Sequence, residues 1–130
     1  PQRAVQGVIR LPALANPDNV GAPLAARARA WLDTNCAQCH QPGGPTPSSL
    51  DLRATTALAA TNACDAPPQA GDLGIVNARL VAPGAASRSV LLARISRRDG
   101  NGMPPLASSQ VDTSGVALVT DWINSLAACQ

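Results

Sequence analysis

The sequence predicts an all-α protein in which three or more helices are separated by long irregular loops. Apolar residues recur at helical spacing in three separate stretches, near 24–32, 90–95 and 116–126. Clusters of Gly and Pro, such as QPGGPTPSS and DGNGMPP, cut those stretches apart. No internal repeat is visible, and 130 residues is the usual size of one domain.

Residues 1–22 have Gly and Pro punctuation and no helical period. They read as a lead-in or linker segment, with a short extended piece at 8–11. The chain opens on Pro1 without an initiator Met, as a processed product or a piece of a longer protein would. The main domain is expected over 23–130. Pro23 suits a first helical position, where its missing N–H costs nothing. The run that follows, LAARARAWLDTNCAQCH, places Leu24, Ala28, Trp31 and Leu32 on one face. The predicted helix runs into CAQCH and breaks at QPGGP.

The middle of the chain is loop-rich, with short strands expected near 50–53 and 76–81. After Pro83 and Gly84, the stretch AASRSVLLARISRR presents Val90, Leu91, Leu92 and Ile95 as a second helical face. The GMPPL loop cannot be helical across Pro104 and Pro105. Asp112 or Thr113 can cap a last helix that carries Val116, Val119, Trp122, Ile123 and Leu126.

Composition narrows the functions. The chain is 45% hydrophobic but has no Phe, no Tyr and two Trp. A core of Ala, Leu and Val fills space poorly unless something bulky sits inside it. A GC-rich genome accounts for the same bias equally well, and for Arg without Lys and Asp without Glu. The net charge of +2 is interspersed, and with so few aromatics nucleic-acid binding is not expected. No apolar run approaches the roughly 18 residues of a membrane span, and no signal peptide stands at the start. With one His and no Glu, the chain lacks the groups for hydrolytic or transfer chemistry and is not expected to be an enzyme by itself.

Residues 36–40 read CAQCH. At a helix end Cys36, Cys39 and His40 share a face, so two thiols and an imidazole address one object. A zinc site would need a second local pair of ligands, whereas only the distant Cys64 and Cys129 remain. A thioredoxin-like dithiol would open a helix after a strand, whereas this pair closes one. Cys-x-x-Cys-His is the attachment signature of c-type haem, with His40 as proximal iron ligand. His40 is the only His and Met103 the only Met. Met103, set between Gly102 and the stiff Pro104–Pro105 pair, is the candidate for the second iron ligand; core packing is the competing role. A thioether favours reduced iron and raises the potential, as an electron carrier requires.

On these residues the stretch from Pro23 to the C-terminus resembles a class I cytochrome c domain. The resemblance implies one covalent haem c and a crossing of the first and last helices. Ala28 and Trp122 stand at the crossing positions, with Leu32 and Val119 beside them. Ala28 departs from the usual Gly and Leu32 from the usual aromatic. The phrases SSLDLR, GDLGIVNARLVAPGAASRSVLLARI, NGMPP and DWI are similar to haem modules at the C-terminal end of bacterial secreted quinoprotein sugar dehydrogenases. That likeness implies a periplasmic or secreted electron carrier served by a fused or partner PQQ-dependent dehydrogenase. A freestanding periplasmic carrier is the alternative, and a haem peroxidase or ligand sensor with a displaceable distal Met is a further one.

Four more assignments attach to this reading. Cys64 and Cys129 are left over after haem attachment and form either a disulfide, which persists outside the cytoplasm, or two buried free thiols. Arg53 is a candidate haem-propionate partner, against a plain surface role. Trp122 is core, and a candidate to flank the haem as well, while Trp31 is core only. Arg97 and Arg98 either line an exposed haem edge facing an acidic redox partner or form a solvated pair.

Overall fold

A computed structural model of the chain describes residues 14–103 and 110–130. The expected extended piece at 8–11 and the Pro104–Pro105 pair lie outside the described residues. Three α-helices are present among the described residues, with no strands: α1 Leu24–Cys36, α2 Val90–Ile95 and α3 Thr113–Ser125. Short 3-10 turns cover Leu58–Ala60 and Ala86–Arg88. None of these helices is long and apolar enough to cross a membrane.

Helix α1 starts one residue later than its Pro suggests. Pro23 is the N-cap, with φ −58° and ψ 142°, and its carbonyl accepts the Arg27 N–H at 3.0 Å. Arg27 reaches back to the Pro17 carbonyl at 2.9 Å and ties the preceding segment to the helix. Ala28, Ala30, Trp31 and Leu32 are its buried residues. Helix α3 is capped by Asp112, whose carboxylate accepts the Gly115 N–H at 2.9 Å. The second oxygen of Asp112 accepts the Trp31 indole N–H at 2.9 Å, so one side chain caps α3 and joins it to α1. These bonds, with one from Ser114, hold the Asp112 carboxyl below its ordinary pKa. Gly115 lets the indole lie against the first turn of α3, because a Cβ there would overlap the Trp31 ring. Ala28, Leu32, Val119 and Trp122 all belong to the one buried cluster that these helices share.

Helix α2 covers the apolar residues at 90–95, and the residues before Val90 stay outside it. Ser89, only 1% exposed, adopts extended geometry with φ −95° and ψ 110°. Its hydroxyl accepts the Ala82 N–H at 2.9 Å and donates to the Ala85 carbonyl at 3.1 Å. Around it the backbone pairs with Arg79: Arg79 N–H to Arg88 at 3.0 Å, and Val90 N–H to Arg79 at 2.8 Å. A serine that satisfies backbone groups in this way competes with a helix. The chain therefore makes a 3-10 turn, one extended residue and six helical ones.

The strands expected at 50–53 and 76–81 do not form. Residues 79–81 make only isolated bridges, Arg79 with Ser89 and Val81 with Cys64. Positive φ at Leu73, Gly74 and Asn77 turns the chain too sharply just before them for a longer ladder. In the earlier segment, the Asp51 N–H donates to Thr61 at 3.0 Å and the Leu52 N–H to His40 at 2.8 Å, two unrelated partners. Cys64 and Cys129 are joined by a disulfide across 65 residues, with their Cα atoms 5.6 Å apart. It ties the chain beyond α3 to the middle loops, beside the Cys64–Val81 bridge.

Candidate functional site

The last turn of α1 delivers the CAQCH residues to the wall of a cavity. Cys36 is the final helical residue, and its carbonyl accepts both the Cys39 N–H at 3.2 Å and the His40 N–H at 2.9 Å. The backbone thus stays coiled for one turn past the helix and keeps the three side chains together. The His40 carbonyl is fixed in turn by the Leu52 N–H. The cavity has a volume of about 540 Å³, within the range of roughly 300–1,000 Å³ that holds cofactors and small ligands. Cys36, Cys39 and His40 line it, and so does Met103, 63 residues after His40 in the sequence. Leu52, Leu80, Val90, Leu91 and Ile95 supply apolar wall.

Electrostatics separates the candidate chemistries. Burial, with Cys39 close by, pushes the Cys36 thiol up to about 12. Redox dithiols work through a depressed thiol pKa, so Cys36 lacks that character. Both Cys36 and Cys39 are free. Burial lowers the pKa of His40 and favours the neutral imidazole, the form that ligates metals. Its Nδ1 is buried and has no hydrogen-bond partner among the described residues. A buried polar atom without a partner calls for a ligand or another explanation. Among the described residues no three His, Cys, Asp or Glu side chains converge as a metal-ion cluster. A c-type haem fits the residues present: two free thiols, a neutral imidazole with an orphaned nitrogen, one thioether and a largely apolar wall.

Two sequence candidates stand apart from the cavity. The Arg53 guanidinium makes a paired contact with Asp51, at 2.9 Å from Nε and 2.7 Å from NH2, and does not line the cavity. Asp51 also accepts the Thr56 hydroxyl at 2.8 Å. Arg53 and Thr56 together hold the Asp51 carboxyl well below the usual carboxylate range, against the effect of burial. Trp122 is 2% exposed in the helix core and is not part of the cavity wall. Arg97 pairs loosely with Asp99 at 3.9 Å, while Arg98 donates to the Arg97 carbonyl at 2.7 Å and to the Met103 carbonyl. Neither arginine lines the cavity.

Other polar residues of the wall carry no sequence motif. Thr46 and Ser48 line the cavity, and their hydroxyl oxygens accept the Ser48 N–H at 3.3 Å and the Leu50 N–H at 3.2 Å. Accepting those bonds leaves each hydroxyl hydrogen to donate elsewhere. Arg94 lines the cavity as well. It stands one turn after Val90 and Leu91, so the helical period that groups those apolar residues is a signal for it too.

Set against known protein families, curated proteins and solved structures, the chain matches none.

Proposed function

We propose that the chain is a monohaem c-type cytochrome domain of class I that carries single electrons. One observation supports this above the rest: Cys36, Cys39, His40 and Met103 line the same largely apolar cavity. Cys36 and Cys39 would hold a haem through two thioether bonds, and His40 and Met103 would ligate its iron. When bound, the haem supplies a one-electron Fe(III)/Fe(II) couple. The protein's part is to set the potential and to control access. The Met103 thioether would favour the reduced iron, and Leu52, Leu80 and α2 would give the group an apolar wall. The Thr46 and Ser48 hydroxyls are the propionate partners in this reading, in place of Arg53.

The electron donor in this reading is a quinoprotein (PQQ) dehydrogenase, fused or partner, and the location is periplasmic or secreted. The Cys64–Cys129 disulfide fits an oxidising compartment.

The deciding experiment is intact mass after acid–acetone extraction, combined with spectra of oxidised and reduced protein. One haem should remain on the chain, and the oxidised form should show a Met–Fe(III) charge-transfer band in the far red. A mass equal to the bare chain would end the reading. Covalent haem without the band would favour an open-site peroxidase or sensor.

A further inference from the structure

One residue of α2 is bonded to the Met103 loop at several points. The main-chain carbonyl of Arg94 accepts the Met103 N–H at 2.9 Å. The Arg94 guanidinium donates to the Asn101 carbonyl at 3.1 Å and to the Ala70 carbonyl at 3.0 Å. Asn101 stands just before Gly102 and Met103, and Ala70 belongs to another stretch of the cavity wall. The neighbouring arginines complete the hold. Arg98 donates to the Met103 carbonyl, so both backbone polar groups of Met103 are engaged. The Arg97 carbonyl packs so closely on Gly102 that a Cβ would collide with it.

We propose that Arg94 is a positioning residue for Met103, latching its loop to the Ala70 segment so that the sulfur stays at the iron. This rests on the haem reading above. Met has three rotatable bonds and a soft, weakly accepting sulfur, so its side chain alone is a loose ligand. Its retention at a metal then depends on how firmly the backbone beneath it is held. Arginine is well matched to this role, because its planar fork can bridge two carbonyls and its charge persists at every working pH. A lysine ammonium is a compact point donor without that fork.

The test uses the haem-loaded protein with Arg94→Gln and Arg94→Lys. The control is Arg88→Gln, because Arg88 also donates to a carbonyl, that of Asn77 at 2.7 Å, but lies off the cavity. Two quantities are measured: hydrogen exchange at the Met103 amide, and the association rate of imidazole with the ferric protein. Both Arg94 variants should retain covalent haem. In Arg94→Gln, exchange should quicken about tenfold, as loss of charge-assisted bonds implies, and imidazole should bind faster by a similar factor. Arg94→Lys should fall between Gln and the parent, and Arg88→Gln should match the parent. The proposal is overturned if Arg94→Gln leaves either quantity unchanged, or if Arg88→Gln changes both equally. A chain that takes up no haem would instead overturn the functional reading, and Met103 exchange in the bare chain would then decide the latch alone.

Discussion

Met103 is the residue on which the electron-carrier reading turns. Met103→Ala should leave both thioether attachments intact, since they depend on Cys36 and Cys39. The potential should fall and carbon monoxide should gain access to the iron. Redox titration and CO binding check this, and an unchanged potential would reduce Met103 to packing. Asp51 makes a prediction about acid stability. Its folded-state pKa is depressed by Arg53 and Thr56, so its stabilising effect is present above its unfolded pKa of about 3.9 and is lost as pH falls below that. Asp51→Asn should therefore flatten the acid limb of a stability–pH curve below about pH 4 and lower the plateau above it. Urea titrations from about pH 2 to about pH 7 would reveal an unaltered limb if the idea is wrong. In LDLR, Arg53 is expected to meet a propionate, which overlooks the carboxylate two residues before it; a carboxylate that close outcompetes a more distant anion for the guanidinium. Arg94 was harder to read, because its partners are main-chain carbonyls at positions 70 and 101, and those belong to the fold and not to any side-chain pattern.

Among the helices, α1 and α3 were readable because each combines apolar spacing with a terminal signal: Pro23 before one, Asp112 before the other. The start of α2 at Val90 was not readable. Ser89 holds the chain extended just before the run by bonding to residues 82 and 85, and the pairing of Arg79 with its neighbours exists only once the middle loop has folded over. The same limit hid the contact between Trp31 and Gly115. The crossing of α1 and α3 was expected around Ala28 and Trp122; both residues belong to the core cluster. A close approach of the two helices lies where the Trp31 indole rests on Gly115. Gly115→Ala should drive a methyl group into that ring, and the cost should be about 1–3 kcal/mol, as for other overpacked sites. Thermal unfolding would measure it; a gain in stability, as a helix interior normally obtains from Gly to Ala, would contradict the contact.

Across the whole molecule, the disulfide is the longest covalent constraint, closing a loop between residues 65 apart. Chain-entropy reasoning gives about 4 kcal/mol for a loop of this size. The double variant Cys64→Ser, Cys129→Ser should unfold at correspondingly lower denaturant, with haem attachment retained; an unshifted midpoint would show that the bridge constrains little. Four cysteines permit three ways of forming two bridges, and only one joins 64 to 129. A scrambled chain would sequester Cys36 or Cys39, the sulfurs that the proposed haem attachment needs. In the folded chain, burial pushes the Cys36 thiol up to about 12. Thiol–disulfide exchange proceeds through thiolate, and at neutral pH the folded chain offers almost none of it at position 36. Alkylation of the haem-free, folded chain should accordingly modify exposed Cys39 well before Cys36, and denaturant should erase the difference.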